Sequence, residues 1–197
     1  VSPLSIDGKT IFSAFLHDIT ERKQVEAIRE HEATHDPLTG LLNRRGMFDL
    51  LSQAIARVKR TRASLALLFI DLDGFKQIND THGHEAGDAV LREVAARLQA
   101  SIRQTDTAAR LGGDEFTVIL ENIKHGIPDA NMLAQKILET LQHPIQLDSV
   151  TATISASIGI SMHHPYDERS ADQLVNAADS AMYTAKHAGK NQVCVHK

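Results

Sequence analysis

Between Arg110 and Phe116 the chain reads Arg-Leu-Gly-Gly-Asp-Glu-Phe. Two adjacent glycines permit positive φ and a tight reversal of the backbone. After them, Phe116, Val118 and Leu120 alternate with Thr117 and Glu121, the period of a strand buried on one face. The stretch therefore predicts a β-hairpin with Gly112 and Gly113 in its turn. Asp114 and Glu115 ride at the tip or just past it. Two acids so placed suit a divalent cation, and they also suit an ordinary polar turn. The rest of the chain has to choose between the two.

The chain has 197 residues, 42% of them hydrophobic, enough for one globular domain with a real core and something extra. Net charge is −4, the pI is about 6.3 and no long basic run occurs, which argues against a nucleic-acid surface. Cys194 is the single cysteine, so an internal disulfide and a cysteine metal cluster are excluded; this fits a reducing, cytoplasmic setting. The longest apolar run, Leu65 to Ile70, is far too short to cross a bilayer. No signal peptide is visible. Valine at position 1 suggests a piece of a longer chain, in which a membrane anchor could lie elsewhere.

In chain order, residues 1–16 predict a hairpin around Asp7-Gly8, read as the end of a domain whose body is elsewhere. Asp18 and Glu21 have capping-box spacing before a helix with Val25 and Ile28 on a narrow apolar stripe. Pro37 and Gly40 break the pattern. Asn43 can cap an amphipathic helix through Met47, Leu51, Ile55 and Val58, closed by Lys59 to Arg62. Leu65 to Ile70 predicts a buried strand ending in Asp71-Leu72-Asp73-Gly74-Phe75-Lys76. Asn79 to Asp88 reads as a polar, glycine-containing loop. Helices follow around Val90–Ile102, Met132–Leu141 and Leu174–Ala185, with strands at 106–111, 116–120, 154–162 and 193–195.

From Leu65 to Met162 the order is strand, helix, strand, strand, helix, strand, which is the ferredoxin-like βαββαβ arrangement. A right-handed crossover makes the first two strands parallel and leaves room for the third between them. The third strand then begins where the first one finishes. Asp71 should lie beside Asp114 and Glu115, so carboxylates from distant segments share one sheet edge. Oxygen-only donors favour Mg²⁺ or Mn²⁺ over zinc. Lys76, Lys186 and Lys190 add the positive charge expected of a metal–phosphate site. Asn79 and Asp88 supply an amide and a carboxylate that suit a purine edge.

Together these residues resemble the GGDEF domain of diguanylate cyclases, from about Thr34 to Val195. His35-Asp36-Pro37-Leu38-Thr39-Gly40 through Arg44 looks like its opening segment, and Gly112 to Phe116 like its signature. The resemblance implies an α/β (α+β) fold: a palm core of the nucleotidyl-cyclase type with extra helices and an edge strand. It also implies a dimeric enzyme that condenses two GTP into cyclic di-GMP, a bacterial second messenger. By position, Asp71, the Leu72 carbonyl and Asp114 would hold Mg²⁺ or Mn²⁺, and Glu115 would act as base. Lys76, the backbone near Phe75, Lys186 and Lys190 would contact phosphates. Asn79 and Asp88 would read guanine, with His84 supporting that loop. Asp73 would order its loop without touching metal. Arg103 and Asp106 match the family's RxxD product-inhibition site, where cyclic di-GMP would bind as inhibitor. His163, His164 and His187 read as surface residues.

The N-terminal residues resemble the tail of a PAS sensor and its signalling helix, which divides the chain into 1–17 (PAS remnant), 18–34 (linker helix) and 35–197 (GGDEF domain). Two further readings remain. One is a regulatory GTP- or cyclic di-GMP-binding module that controls a neighbour such as a phosphodiesterase. The other is a polymerase-like palm, which the acidic pI and missing basic channel disfavour. The expected partners are GTP, cyclic di-GMP and a second copy, with neither nucleic acid nor a membrane.

Overall fold

The computed structural model describes residues 29–147 and 151–196, and the backbone of two strands before them. It divides into two units, Val1–Ala33 and Thr34–Lys197. In the first unit β1 (Ser2–Ile6) and β2 (Lys9–Ser13) pair antiparallel, Ile6 opposite Lys9. The expected hairpin is therefore present. The proposed Asp18–Glu21 capping box and the Val25–Ile28 stripe lie outside the described residues. Residues 29–34 are helical.

The second unit opens with α1 (Arg44–Thr61), whose first turn is capped by Asn43 accepting from the Gly46 amide. Then come β3 (Ser64–Asp73), α2 (Phe75–His82), α3 (His84–Ser101), β4 (Thr107–Gly112) and β5 (Glu115–Ile123). After these follow α4 (Ile127–Leu141), the short pair β6 (Ile145–Gln146) and β7 (Thr151–Ala152), β8 (Ser155–His163), α5 (Ala171–His187) and β9 (Gln192–Val195). The main sheet has the order β4-β5-β3-β8-β9. β5 is antiparallel to both β3 and β4, so β3 and β4 are parallel, and β5 fills the space between them. β8 pairs antiparallel on the other side of β3 and carries β9 parallel at the edge. This is the expected ferredoxin-like core with an added edge strand.

Helices cover both faces. Leu68, Ile70 and Leu72 point with Phe116 and Ile158 toward α3 and α4. Leu65, Leu67 and Phe69 point toward α1 and α5. A strand buried on both faces reads as a continuous apolar run, which is why Leu65 to Ile70 carries no polar alternation. α4 ends on Arg97 of α3. That guanidinium donates to the carbonyls of Thr140, Leu141, His143 and Pro144, and pairs with Glu93 at 2.8 Å. It adds donors to carbonyls at and beyond the helix end, where intrahelical partners run out.

Two expectations need correction. Asn79 to Asp88 is not a loop. It is the end of α2 and the start of α3, joined at Gly83 with φ 84°. Phe75 and Ile78 bury one side of α2 while its other side stays polar, so composition alone resembled a loop. Second, His163, at the end of β8, is fully buried, whereas His164 and His187 are exposed. On the same strand Ser157 and Ser161 are fully buried, and a Cβ on Gly159 would lie 2.0 Å from the Ala178 carbonyl oxygen. Small residues there admit the α5 backbone. Among the described residues no helix is long and apolar enough to cross a membrane.

Candidate active site

The site is built where β3 ends. Strand pairing sets Asp71 opposite Glu115 on one side and Ser157 on the other. The Leu72 amide donates to the Asp114 carbonyl at 3.2 Å. The hairpin turn is Gly113-Asp114, with Gly112 at φ 139° and Gly113 at φ 55°, conformations that glycine adopts without strain. Asp71, Asp114 and Glu115 thus gather at one sheet edge, as the order of elements required.

Asp71 is nearly buried, at 6% exposure. Burial raises its pKa above the ordinary carboxylate value, the Lys186 ammonium opposes the rise, and the charges of Asp114 and Asp73 add to it. A carboxylate held among other carboxylates favours a cation beside it. Lys186 provides one, with Nζ 2.6 Å from Asp71 Oδ2. Lys186 was expected on phosphate; here it rests on Asp71. Carboxylate and carbonyl oxygens are the donors that Mg²⁺ or Mn²⁺ takes, and Asp71, Asp114 and the Leu72 carbonyl are the groups that would supply them. Among the described residues no group of three or more His, Cys, Asp or Glu side chains could hold a metal, so side chains alone do not complete a site.

Asp73 is a structural anchor. It accepts from Ser157 Oγ at 2.9 Å, from Ser155 Oγ at 3.1 Å and from the Asn191 amide at 3.0 Å. The last bond ties β3 to the turn after α5, where Lys190 and Asn191 have φ 63° and 48°. Lys190 is exposed on that turn. Lys76 is exposed on the first turn of α2, beside buried Phe75. Asn79 and Asp88 are half-buried on α2 and α3, and the Asn79 carboxamide rests against α3 at Gly87. His84 is exposed at the start of α3.

Sequence reasoning missed three residues around the hairpin. Arg44 places Nη2 3.7 Å from Glu115 Oε2. Arg110 donates from Nε and Nη2 to the Gly113 carbonyl at 3.1 and 2.9 Å, and from Nη1 to both Asp36 oxygens at 3.1 and 3.2 Å. Asp36 also accepts from the amide and hydroxyl of Thr39. Burial opposes these bonds, yet Thr39 and Arg110 together hold the Asp36 carboxyl below its usual range. The Arg110 amide donates to Leu42, so the segment 35–43 lies along the outer edge of β4. An arginine two residues before the glycines was the available signal.

Arg103 and Asp106 lie at the opposite end of β4 from the turn, about 20 Å away at the usual rise per residue. Asp106 Oδ2 accepts from the Arg103 amide and Oδ1 from the Glu121 amide. Glu121 is gripped by Arg57 through two bonds of 2.6 and 3.0 Å. A cavity of about 340 Å³ opens there, lined by Arg103, Asp106, Glu121, Met132 and Lys136.

A family model described as "Diguanylate cyclase, GGDEF domain" matches residues 33–192. The chain belongs to the GGDEF family. Among curated proteins, this GGDEF domain is 46% identical over 162 residues to the bifunctional diguanylate cyclase/cyclic di-GMP phosphodiesterase MucR of Pseudomonas aeruginosa, covering 82% of the chain and 23% of MucR. The GGDEF-only structure of TpbB from the same organism is 41% identical, with a TM-score of 0.78, covering 83% of this chain and 94% of that one. The coiled-coil and GGDEF structure of DgcB from Caulobacter crescentus, in complex with c-di-GMP, is 30% identical. Its TM-score is 0.80, covering 89% and 91% of the two chains. The chain spans about a quarter of MucR and 37% of full-length TpbB.

Proposed function

We propose that this GGDEF domain is a diguanylate cyclase that condenses two GTP into cyclic di-GMP with loss of two pyrophosphates. The observation that carries the reading is the convergence of Asp71, Asp114 and Glu115 beside Lys186 at the end of β3. A divalent cation, Mg²⁺ or Mn²⁺, would be held by Asp71, the Leu72 carbonyl and Asp114, where it would neutralise phosphate charge and lower the pKa of the attacking hydroxyl.

The remaining chemistry belongs to the chain. Each 3′-hydroxyl oxygen bonds to the α-phosphorus of the other GTP as that phosphorus loses its bond to pyrophosphate. Glu115 takes the hydroxyl proton. Lys76 and the backbone near Phe75 at the start of α2 bind the terminal phosphates, as helix N-termini do, with Lys186 and Lys190 adding charge. Asn79 and Asp88 read guanine, and His84 supports the helix joint between them. One domain holds one GTP, so two copies must face each other and the working unit is a homodimer. Arg103 and Asp106 form the site at which cyclic di-GMP inhibits. GTP as substrate places the domain in the cytoplasm. Residues 1–17 are the end of a PAS sensor and 18–34 its linker to the domain at 35–197.

The test is the purified chain with GTP and Mg²⁺ at high protein concentration, with cyclic di-GMP read by chromatography. Product from the wild type and none from Asp71→Ala is the expected result. GTP bound without turnover, even in an enforced dimer, overturns it. One second reading is a regulatory module that binds GTP or cyclic di-GMP and governs a neighbouring phosphodiesterase domain, the two activities that MucR carries in its name. That reading predicts binding without product.

A further inference from the structure

Gly87 sits inside α3 with its amide bonded to the Gly83 carbonyl at 3.3 Å. Its backbone has the ordinary conformation of a helix, where alanine is the better residue. Space explains the glycine. A Cβ at this position would lie 1.9 Å from Asn79 Oδ1, 2.9 Å from Asn79 Cγ and 3.3 Å from Phe75 Cζ. The Asn79 carboxamide occupies the volume that any side chain at 87 would take. It lies against the α3 backbone one residue before Asp88.

We propose that Gly87 is a positioning residue for base selectivity: its bare Cα is the seat that holds the Asn79 carboxamide beside Asp88. The inference rests on the reading that Asn79 and Asp88 recognise guanine. Two other buried glycines give the contrast. At Gly46 and Gly159 the nearest atoms are backbone oxygens, Thr34 O at 2.4 Å and Ala178 O at 2.0 Å. A methyl group there collides with the fold itself. At Gly87 it meets the far end of a flexible side chain, which can rotate away. The fold survives the change and the amide leaves its place.

The test is Gly87→Ala, with Asn79→Ala and the double variant beside it. Affinities for 3′-deoxy-GTP and 3′-deoxy-ATP are measured by calorimetry with Mg²⁺; neither nucleotide has the hydroxyl needed for condensation. The expected result is a preference for guanine that falls about tenfold in Gly87→Ala, the size of one lost hydrogen bond to the base. The melting temperature should hold or rise. The double variant should match Asn79→Ala within about twofold, because both changes remove the same contact. If Asn79→Ala keeps the full preference, the guanine-site reading falls and the inference falls with it. If Asn79→Ala loses the preference while Gly87→Ala keeps it, the inference alone is overturned. A melting point for Gly87→Ala lowered as far as that of Gly159→Ala also overturns it, since the space would then serve packing and not the amide.

Discussion

Lys186 holds its ammonium 2.6 Å from the carboxylate of Asp71. In the proposed reading, the pair stands where a phosphate and its metal would bring charges of both signs. Its carboxylate is nevertheless unfavourable for the fold, since burial and two neighbouring acids raise the Asp71 pKa above its unfolded value. A raised folded pKa means that stability from this group is present at low pH and is lost as pH rises through the folded pKa. At neutral pH, without metal, the charge is a cost. Asp71→Asn should therefore raise the melting temperature of the metal-free domain by about 2–4 °C while removing turnover. Lys186 is about a third exposed and can turn to water. Calorimetric melts in EDTA check this.

Glu115→Gln keeps the shape and removes the base. Turnover should fall by about 10²–10⁴-fold, with GTP affinity changed by less than about threefold. Initial rates and equilibrium binding, measured on the same preparation, separate the two effects. Parallel loss of binding would show that Glu115 serves to seat the nucleotide.

Arg110 fastens the Gly113 carbonyl to Asp36 with a forked guanidinium. A lysine keeps the charge but cannot make both contacts at once. Arg110→Lys should lower kcat by about tenfold or more, because small misplacements of reacting groups are expensive. The melting temperature should drop by only a few degrees. Rates at saturating GTP, read beside the melt, decide it.

His163 is fully buried, and among the described residues its Nδ1 has no hydrogen-bond partner. Its Nε2 lies 3.3 Å from the Arg169 carbonyl oxygen. Burial holds its pKa below 6.5; the Asp167 charge and the hydrogen bond to the Arg169 backbone pull the other way, and the charges of Arg169 and Lys59 add to the lowering. The unfolded chain then binds more protons than the folded one as pH falls below 6.5. Stability is lost in that direction. His163→Gln should flatten the dependence of melting temperature on pH in this window. An unchanged slope would put the titrating group elsewhere.

Arg97 serves four carbonyls at the end of α4. Arg97→Met keeps the apolar stem and removes the donors. The Leu141 carbonyl, at the end of a packed helix, loses its donor, while that of Thr140 keeps the His143 amide. A loss of about 2–3 kcal/mol is expected, measured by urea unfolding.

The core of this site was legible because topology follows from element order. Once Gly112 and Gly113 marked a hairpin, Asp71 had to meet Glu115. The Asn79–Asp88 helices were not legible. Their buried residues are few, Gly83 interrupts the period, and a polar helix reads like a loop. His163 was misplaced because it follows the apolar run that ends at Met162, and a lone histidine past such a run carries no signal of burial. The Asp36–Arg110 contact spans 74 residues, and no local pattern encodes it.

Gly159 has a consequence for the chemistry on the neighbouring strand. With backbone against backbone, α5 and β8 have no compressible layer between them. The height of α5 above the sheet is fixed as if by a machinist's gauge whose stop is a hydrogen atom. Lys186 stands on that helix and Asp71 on the strand next to β8. The spacing between cation and carboxylate is thus calibrated by a residue that touches neither.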